Sequence, residues 1–494
     1  MVLAPLQSKP GSVHGRPRRV TGGCRPWAPG MRVLLALAVT ATLAGCVFQE
    51  KSFPMRPGDL VRLRSEPNPV PSDPSTVRQW LRRTHQRLEP LLPERGRRVM
   101  LTEQFLDEQG QPVDVYRYFQ KDPRTLNQIR QNYYGILHSA QAIGQRLAID
   151  QPIEPWPKFQ TVWIPVADGI EISGRLGFAE TDDGRVRRAD CIVILPGYLG
   201  DNGIRRTRDL ALAIRQAGFH ALALELRGHG EAELRYPDIY YTFGALEVPD
   251  LLKVSEWLED TYPQVSGTGL VGACWGGNLA LLAAWLDGRQ PDDSSIDERT
   301  AVVLGPPWPR RHFTAGVIAL SAVLDYEGLM DRLDLPQDTW ANPSTHFFQN
   351  TVKERAARKG HPEVTCSLRR LINYEFARSP LTRAWSVIDV YRFLRLIPYR
   401  GQPPARKLDS ARMPVLVVAS VNDPFLSAQD TATLIDETNN PNVAALMLRG
   451  GGHIGFAPYN RAYFYSLVIN FFDPQVGAAA SSGLRGAAAS FVKG

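Results

Sequence analysis

The stretch GLVGACWGGNLALLAAWL, from Gly269 to Leu286, runs an apolar, strand-like segment into Cys274 and continues as a helix-like one. Gly272 and Gly276 stand two residues to either side of the cysteine, and Gly277 follows. A nucleophile carried on so tight a strand-to-helix turn takes strained backbone angles, and side chains two residues away would collide across it. The spacing therefore suits a presented nucleophile better than an inert buried cysteine. A helix starting at the next residue aims amide hydrogens and positive potential at the sulfur, which favours the thiolate. Such a sulfur attacks an acyl carbon and becomes a thioester, provided that an acid–base group serves it.

Where a nucleophile stands at such an elbow, its acid and then its histidine follow it in chain order. Asp423 follows the apolar run MPVLVVASV in VNDPFLS, at the carboxyl end of a strand, where catalytic groups gather. Asp325, closing the earlier run AGVIALSAVLD, is the reserve acid. His453 lies in RGGGHIGF, after the last strand and before the last helix, and Gly450, Gly451 and Gly452 allow its loop to fold back toward the cysteine. An oxyanion formed at Cys274 needs amide donors, which the backbone of Trp275 and of Tyr198 in LPGYLG would supply. His229 in ELRGHG follows a different strand and reads as a loop-shaping or rim residue.

Strands alternating with helices from Thr161 onward predict an α/β fold: a mostly parallel central sheet with helices on both faces, over residues 156–475. TVWIPVADGIEISGRLGF reads as a hairpin about Asp168-Gly169, and IRRTRDLALAIRQAG as a helix closed by Gly218. Residues 326–408, aromatic and Arg-rich, form a helical lid insertion. Residues 47–155 form a Pro-rich tether and a helical N-terminal extension, with helices over Ser75–Leu92 and Arg124–Ile149 and a strand at DVYRYF. The low-complexity tail, 476–494, follows.

Residues 1–46 read as a leader and signal. MRVLLALAVTATLAGC has one basic residue, an apolar run too short to span a bilayer, and small residues before Cys46. Six of the +7 net charges lie before residue 46, leaving the body nearly neutral. That excludes a global field for nucleic acid. Five cysteines, one removable with the leader and one in the signal, do not make a disulfide framework. Metal-site and phosphate-loop spacings are absent, so neither metal nor cofactor is expected.

ILPGYLG, LELRGHG, GACWGG, VNDPFLS and GGHIGF, in this order, resemble the alpha/beta-hydrolase superfamily over roughly 160–473. The pair NDPF and PNVAALMLRGGGHIGF is most similar to its YheT-like branch, which implies medium-chain and monoacylglycerol-type esters as substrates. That branch uses serine, whereas GACWGG resembles the cysteine box of polyhydroxyalkanoate synthases; dienelactone hydrolases also use cysteine. Leu43-Ala44-Gly45-Cys46 resembles the lipobox of bacterial lipoproteins, which implies acylation at Cys46 and a place on the periplasmic side of the cell envelope, with Val47 leaning to the outer membrane. Three functions stay open: a membrane-tethered hydrolase of acyl or lipid-type esters through acyl-Cys274, an acyltransferase through the same intermediate, and a non-catalytic binding lipoprotein. The sequence leaves the oligomeric state undetermined.

Overall fold

The computed structural model describes residues 50–63, 76–92, 100–101, 135–142, 153–198, 200–290, 296, 298–334, 343–361, 363, 367–398 and 406–473. Cys46 and its signal, Ser75, the DVYRYF segment, most of Arg124–Ile149 and the tail lie outside them. Among the described residues nine strands form one sheet: β1 (Met100–Leu101), β2 (Gln160–Ala167), β3 (Ile170–Gly177), β4 (Ala189–Leu195), β5 (His220–Leu224), β6 (Val265–Ala273), β7 (Gly316–Leu320), β8 (Val415–Ser420) and β9 (Val443–Leu448). Their order is β1-β9-β8-β7-β6-β4-β5-β3-β2. From β5 to β9 across this order every pairing is parallel, and β2, β3 and β1 add antiparallel edges.

Apolar runs make the central strands because both faces of the sheet are covered. In β4, Cys191, Val193 and Leu195 enter one core, and Ile192 and Ile194 the other. Val415 and Val417 of β8 divide from Leu416 and Val418 in the same way. Cys191 is a free thiol buried in this packing, as a small apolar residue would be.

The helices that matter to the site are α1 (Thr76–Leu88), α2 (135–142), α3 (Arg205–Gln216), α4 (Glu247–Thr261), α5 (Trp275–Gly288), α6 (Tyr326–Asp334), α7 (Pro343–Arg358), α8 (Leu368–Ala377), α9 (Val387–Leu394), α10 (Ala428–Glu437) and α11 (Arg461–Phe471). Helices α4 to α9 contribute to the first core, and α1, α3 and α11 to the second. The hairpin forms as expected, with Ala167 opposite Ile170, and Gly218 ends α3 with φ +96°.

Two expectations need correction. The segment AGVIALSAVLD is not a strand throughout: β7 ends at Leu320, and Ser321 turns the chain away with φ +44°. Nor are residues 50–63 a free tether. Ser52 Oγ donates to Asp209 Oδ1 at 2.8 Å, Val61 N to Ser466 Oγ at 2.9 Å, and Leu63 N to Asn470 Oδ1 at 2.9 Å. Side chains of α3 and α11 thus satisfy the strap's backbone where it crosses them. Helix α1 is anchored by burial of Val77, Leu81 and Leu88, each contributing about 1.5–3 kcal/mol.

The insertion between β7 and β8 carries α6 to α9, and a buried ionic cluster pins it down. Arg355 of α7, 1% exposed, donates from Nε to Glu375 Oε1 at 2.7 Å and from Nη2 to the Gly228 carbonyl at 3.1 Å. Its Nη1 reaches Glu233 Oε2 at 3.4 Å. Arg355→Ala would strand Glu375, which is fully buried, and is expected to cost about 3–5 kcal/mol. The check is a fall in the urea midpoint at unchanged slope.

Candidate functional site

Cys274 stands between the end of β6 and the start of α5, with φ +56° and ψ −114°, a conformation that an L-residue holds only under constraint. The constraints are visible. Its amide donates to the Leu320 carbonyl at 2.8 Å, and its own carbonyl accepts from Gly277 at 3.1 Å and Val323 at 3.2 Å. A Cβ on Gly272 would come within 2.0 Å of the Gly276 carbonyl oxygen. One on Gly276 would come within 2.3 Å of the Pro196 carbonyl oxygen. The glycine spacing read from the sequence therefore answers two separate collisions, one inside the turn and one with the neighbouring loop.

That loop is the LPGY segment. A Cβ on Gly197 would lie 3.2 Å from Cys274 Cβ and 3.7 Å from Sγ, so this backbone runs directly beside the sulfur. Tyr198 follows, its ring 5.0 Å from that of Trp275, and Trp275 opens α5 immediately after the cysteine. The two residues expected to offer amides thus flank the thiol.

Asp423 and His453 meet. His453 Nδ1 lies 2.9 Å from Asp423 Oδ2, and both residues are buried. Asp423 Oδ1 accepts from the amides of Phe425 at 2.9 Å and Leu426 at 3.0 Å, so the turn of VNDPFLS fixes the carboxylate and leaves its second oxygen for the imidazole. The Cys274 sulfur is near enough to the His453 imidazole to act on its charge.

The charges follow from this arrangement. Burial works against ionisation at His453, but the Asp423 carboxylate and the Cys274 sulfur outweigh it and raise the imidazole to about 10. Burial would push Asp423 up, yet the imidazolium and the two turn amides hold it below the usual carboxylate range. An imidazole so placed between a carboxylate and a sulfur stores a proton at neutral pH. It can hand that proton to a leaving group, and can then withdraw one from water.

This elbow, acid turn and histidine loop lie at the carboxyl ends of β6, β8 and β9, and residues 190–458, more than half of the chain, match the family described as alpha/beta hydrolase fold. The chain belongs to the alpha/beta-hydrolase family. Among solved structures, a Pyrococcus furiosus esterase is 16% identical, with 68% of this chain and 96% of that one covered and a TM-score of 0.39. For 2,6-dihydroxy-pseudo-oxynicotine hydrolase the figures are 14%, 72%, 85% and 0.43. For the alpha/beta hydrolase GrgF of Penicillium sp. sh18 they are 17%, 64%, 99% and 0.40.

Two other sequence candidates of this alpha/beta-hydrolase family member lie elsewhere. Asp325 uses its carboxylate at the start of α6, where Oδ1 accepts from Gly328 N at 2.9 Å. Of the two readings of His229, loop-shaping or rim, the structure fits the first: it is 2% exposed, its Nδ1 pairs with the Arg227 carbonyl of its own loop at 2.8 Å, and burial drives its imidazole down to about 3. Its ring packs on Tyr241 at 4.8 Å and Tyr198 at 5.7 Å, which makes it part of the wall behind the LPGY loop.

Several contributors had no sequence signal. Asn422 Oδ1 accepts from Gly452 N at 2.9 Å and so ties the acid turn to the histidine loop. Ser321 Oγ accepts from Ile454 N at 3.3 Å. The Arg206 guanidinium interacts electrostatically with Cys274. A cleft lined by Arg206, Leu320 and Ile454 borders the site, and Phe53, Gln141 and Ala142 wall it from the extension. This wall comes from residues before 156, while Tyr326 of the 326–408 insertion packs on Trp275 at 4.4 Å.

Proposed function

We propose that this protein is a membrane-tethered hydrolase of carboxylic esters of the acyl or lipid type, working through an acyl-cysteine on Cys274. The observation that carries the reading is the buried His453 imidazole between Asp423 and the Cys274 sulfur, with that sulfur on a strained elbow.

In the first half-reaction the Cys274 thiolate attacks the ester carbonyl carbon. The C=O π pair moves to oxygen, where the amides of Tyr198 and Trp275 receive the negative charge. Collapse re-forms the C=O bond and breaks the bond to the alkoxide, which takes the proton of the His453 imidazolium and leaves as alcohol. In the second, neutral His453 removes a proton from water, and the resulting hydroxide attacks the thioester. The thiolate departs, the acid is released, and His453 holds the proton again. Asp423 keeps the imidazole oriented and stabilises its charge throughout.

The YheT-like segments around Asp423 and His453 support a lipid-type acyl group, and the synthase-like box supports cysteine as the nucleophile. The Leu43-Ala44-Gly45-Cys46 lipobox supports attachment through acylated Cys46 on the periplasmic side of the envelope.

Incubation with a p-nitrophenyl acyl ester, followed by intact-mass and peptide analysis, tests the chemistry. One acyl adduct on Cys274 that water clears is expected. An adduct cleared only by an added alcohol, amine or thiol would replace hydrolysis by acyl transfer. No adduct would leave a binding protein on a hydrolase scaffold.

A further inference from the structure

The N-terminal extension contributes one short helix to the heart of the site. Ser139 of α2 is buried; its Oγ donates to the Gly135 carbonyl at 2.6 Å and accepts the backbone N–H of His453 at 2.7 Å. One residue earlier, His138 Nδ1 accepts from Gly451 N at 3.3 Å, and burial keeps that imidazole below its ordinary range, in the neutral form an acceptor requires. The helix fits without slack. A Cβ on Gly135 would lie 1.8 Å from the Asn422 carbonyl oxygen, and one on Gly452 would lie 2.1 Å from the Gly135 carbonyl oxygen. The helix therefore touches the loop of the acid and the loop of the histidine at once.

We propose that Ser139 is a positioning residue for His453, and that the extension carrying it completes the acid–base apparatus of the site. This rests on the acyl-cysteine reading above. The His453 loop is built of Gly450, Gly451 and Gly452 with His453 and Ile454, and it holds positive φ at Gly451, Gly452 and Ile454. Nothing in such a backbone selects one conformation by itself. The Ser139 hydroxyl receives the amide of the very residue whose side chain must stay on Asp423 and close to Cys274. Without that acceptor a buried N–H is stranded, and relief by a loop shift carries the imidazole off line. A shift of about 1 Å at such a group can cost about 10²-fold in rate.

The groups facing the Cys274–His453 pair are Asp423 after β8, Arg206 from α3 and Tyr326 at the start of α6, while His138 of α2 faces the histidine loop. Substitutions at Ser139 leave all of them in place. Ser139→Thr and Ser139→Val have nearly the same shape and differ in the hydroxyl, so packing effects cancel between them, and a thermal melt of each reports what the stranded N–H costs in stability. In the full chain, two quantities are read: p-nitrophenyl ester turnover, and the rate of iodoacetamide labelling of Cys274 between pH 5 and 9, which needs no substrate. His453→Ala serves as reference.

Ser139→Thr is expected to keep most of the wild-type kcat, and Ser139→Val to lose about 10²-fold in kcat with KM little changed. Cys274 labelling of the valine variant at pH 6 should fall toward that of His453→Ala. Equal kcat and equal labelling profiles for Thr and Val, with His453→Ala labelling slowly, would overturn the role of Ser139 alone. Wild-type labelling in His453→Ala would sink the thiol–imidazole pairing, and this inference with it.

Discussion

Cys274→Ala is expected to abolish ester turnover, with kcat falling on the order of 10⁴–10⁶-fold, and to leave no acyl adduct. Alanine keeps the Cβ and removes only the sulfur, so the elbow with φ +56° is no more strained than before, and the chain should melt as the wild type does. The loss is chemical. With the sulfur gone, the remaining amides and the imidazole can still polarise a bound ester, and a residual rate of about 10³–10⁴-fold over water would be consistent with such groups acting alone. Kinetics on a p-nitrophenyl ester, beside a thermal melt, separate the two. Turnover within tenfold of wild type would mean that the ester is cleaved elsewhere.

Asp423→Asn is the second large effect. The amide can still accept the turn N–H groups of Phe425 and Leu426, but it cannot stabilise an imidazolium and offers His453 the wrong partner. A fall of about 10⁴-fold in kcat is expected, the magnitude known for the same change in a serine triad. The pH dependence has a sign. Asp423 is the leading influence raising His453 to about 10, so its loss brings the imidazole down, and the alkaline limb of activity, where the leaving group's proton is lost, moves to lower pH.

Stability responds as well. His453 lies above its ordinary 6.5 in the folded chain, so its contribution is complete below that value and fades as pH rises through about 10. Asp423 lies below its ordinary 3.8, so its contribution is complete above that value and fades as pH falls through the depressed one. Between about 4 and 6.5 both are complete. Denaturation of wild type and Asp423→Asn across pH should differ most in that window, and a gap that instead widens toward pH 10 would contradict the assignment.

The elbow glycines, the order Cys274, Asp423, His453, and the parallel sheet were legible in the sequence because each is a local demand. A tight turn excludes Cβ atoms at fixed spacing, a carboxylate caps its own following turn, and apolar runs of strand length are buried on both faces. Asp325 misled for the same reason: the run AGVIALSAVLD is apolar to its end, but Ser321 breaks the strand, and the acid five residues beyond β7 caps α6 instead. His229 is likewise a residue whose surroundings no neighbouring motif announces.

By itself, then, the sequence determined the kind of scaffold and pointed to the residues proposed to carry the chemistry on it. The tertiary structure decided how they are held. Asn422 on Gly452, Ser139 on the His453 amide and the Arg206 charge acting on Cys274 join segments far apart in the chain through single hydrogen bonds or charges. Such contacts have no periodicity and impose no spacing on the residues around them. They exist only because the fold brings the loops after β8 and β9, and helices α2 and α3, together at the ends of the strands.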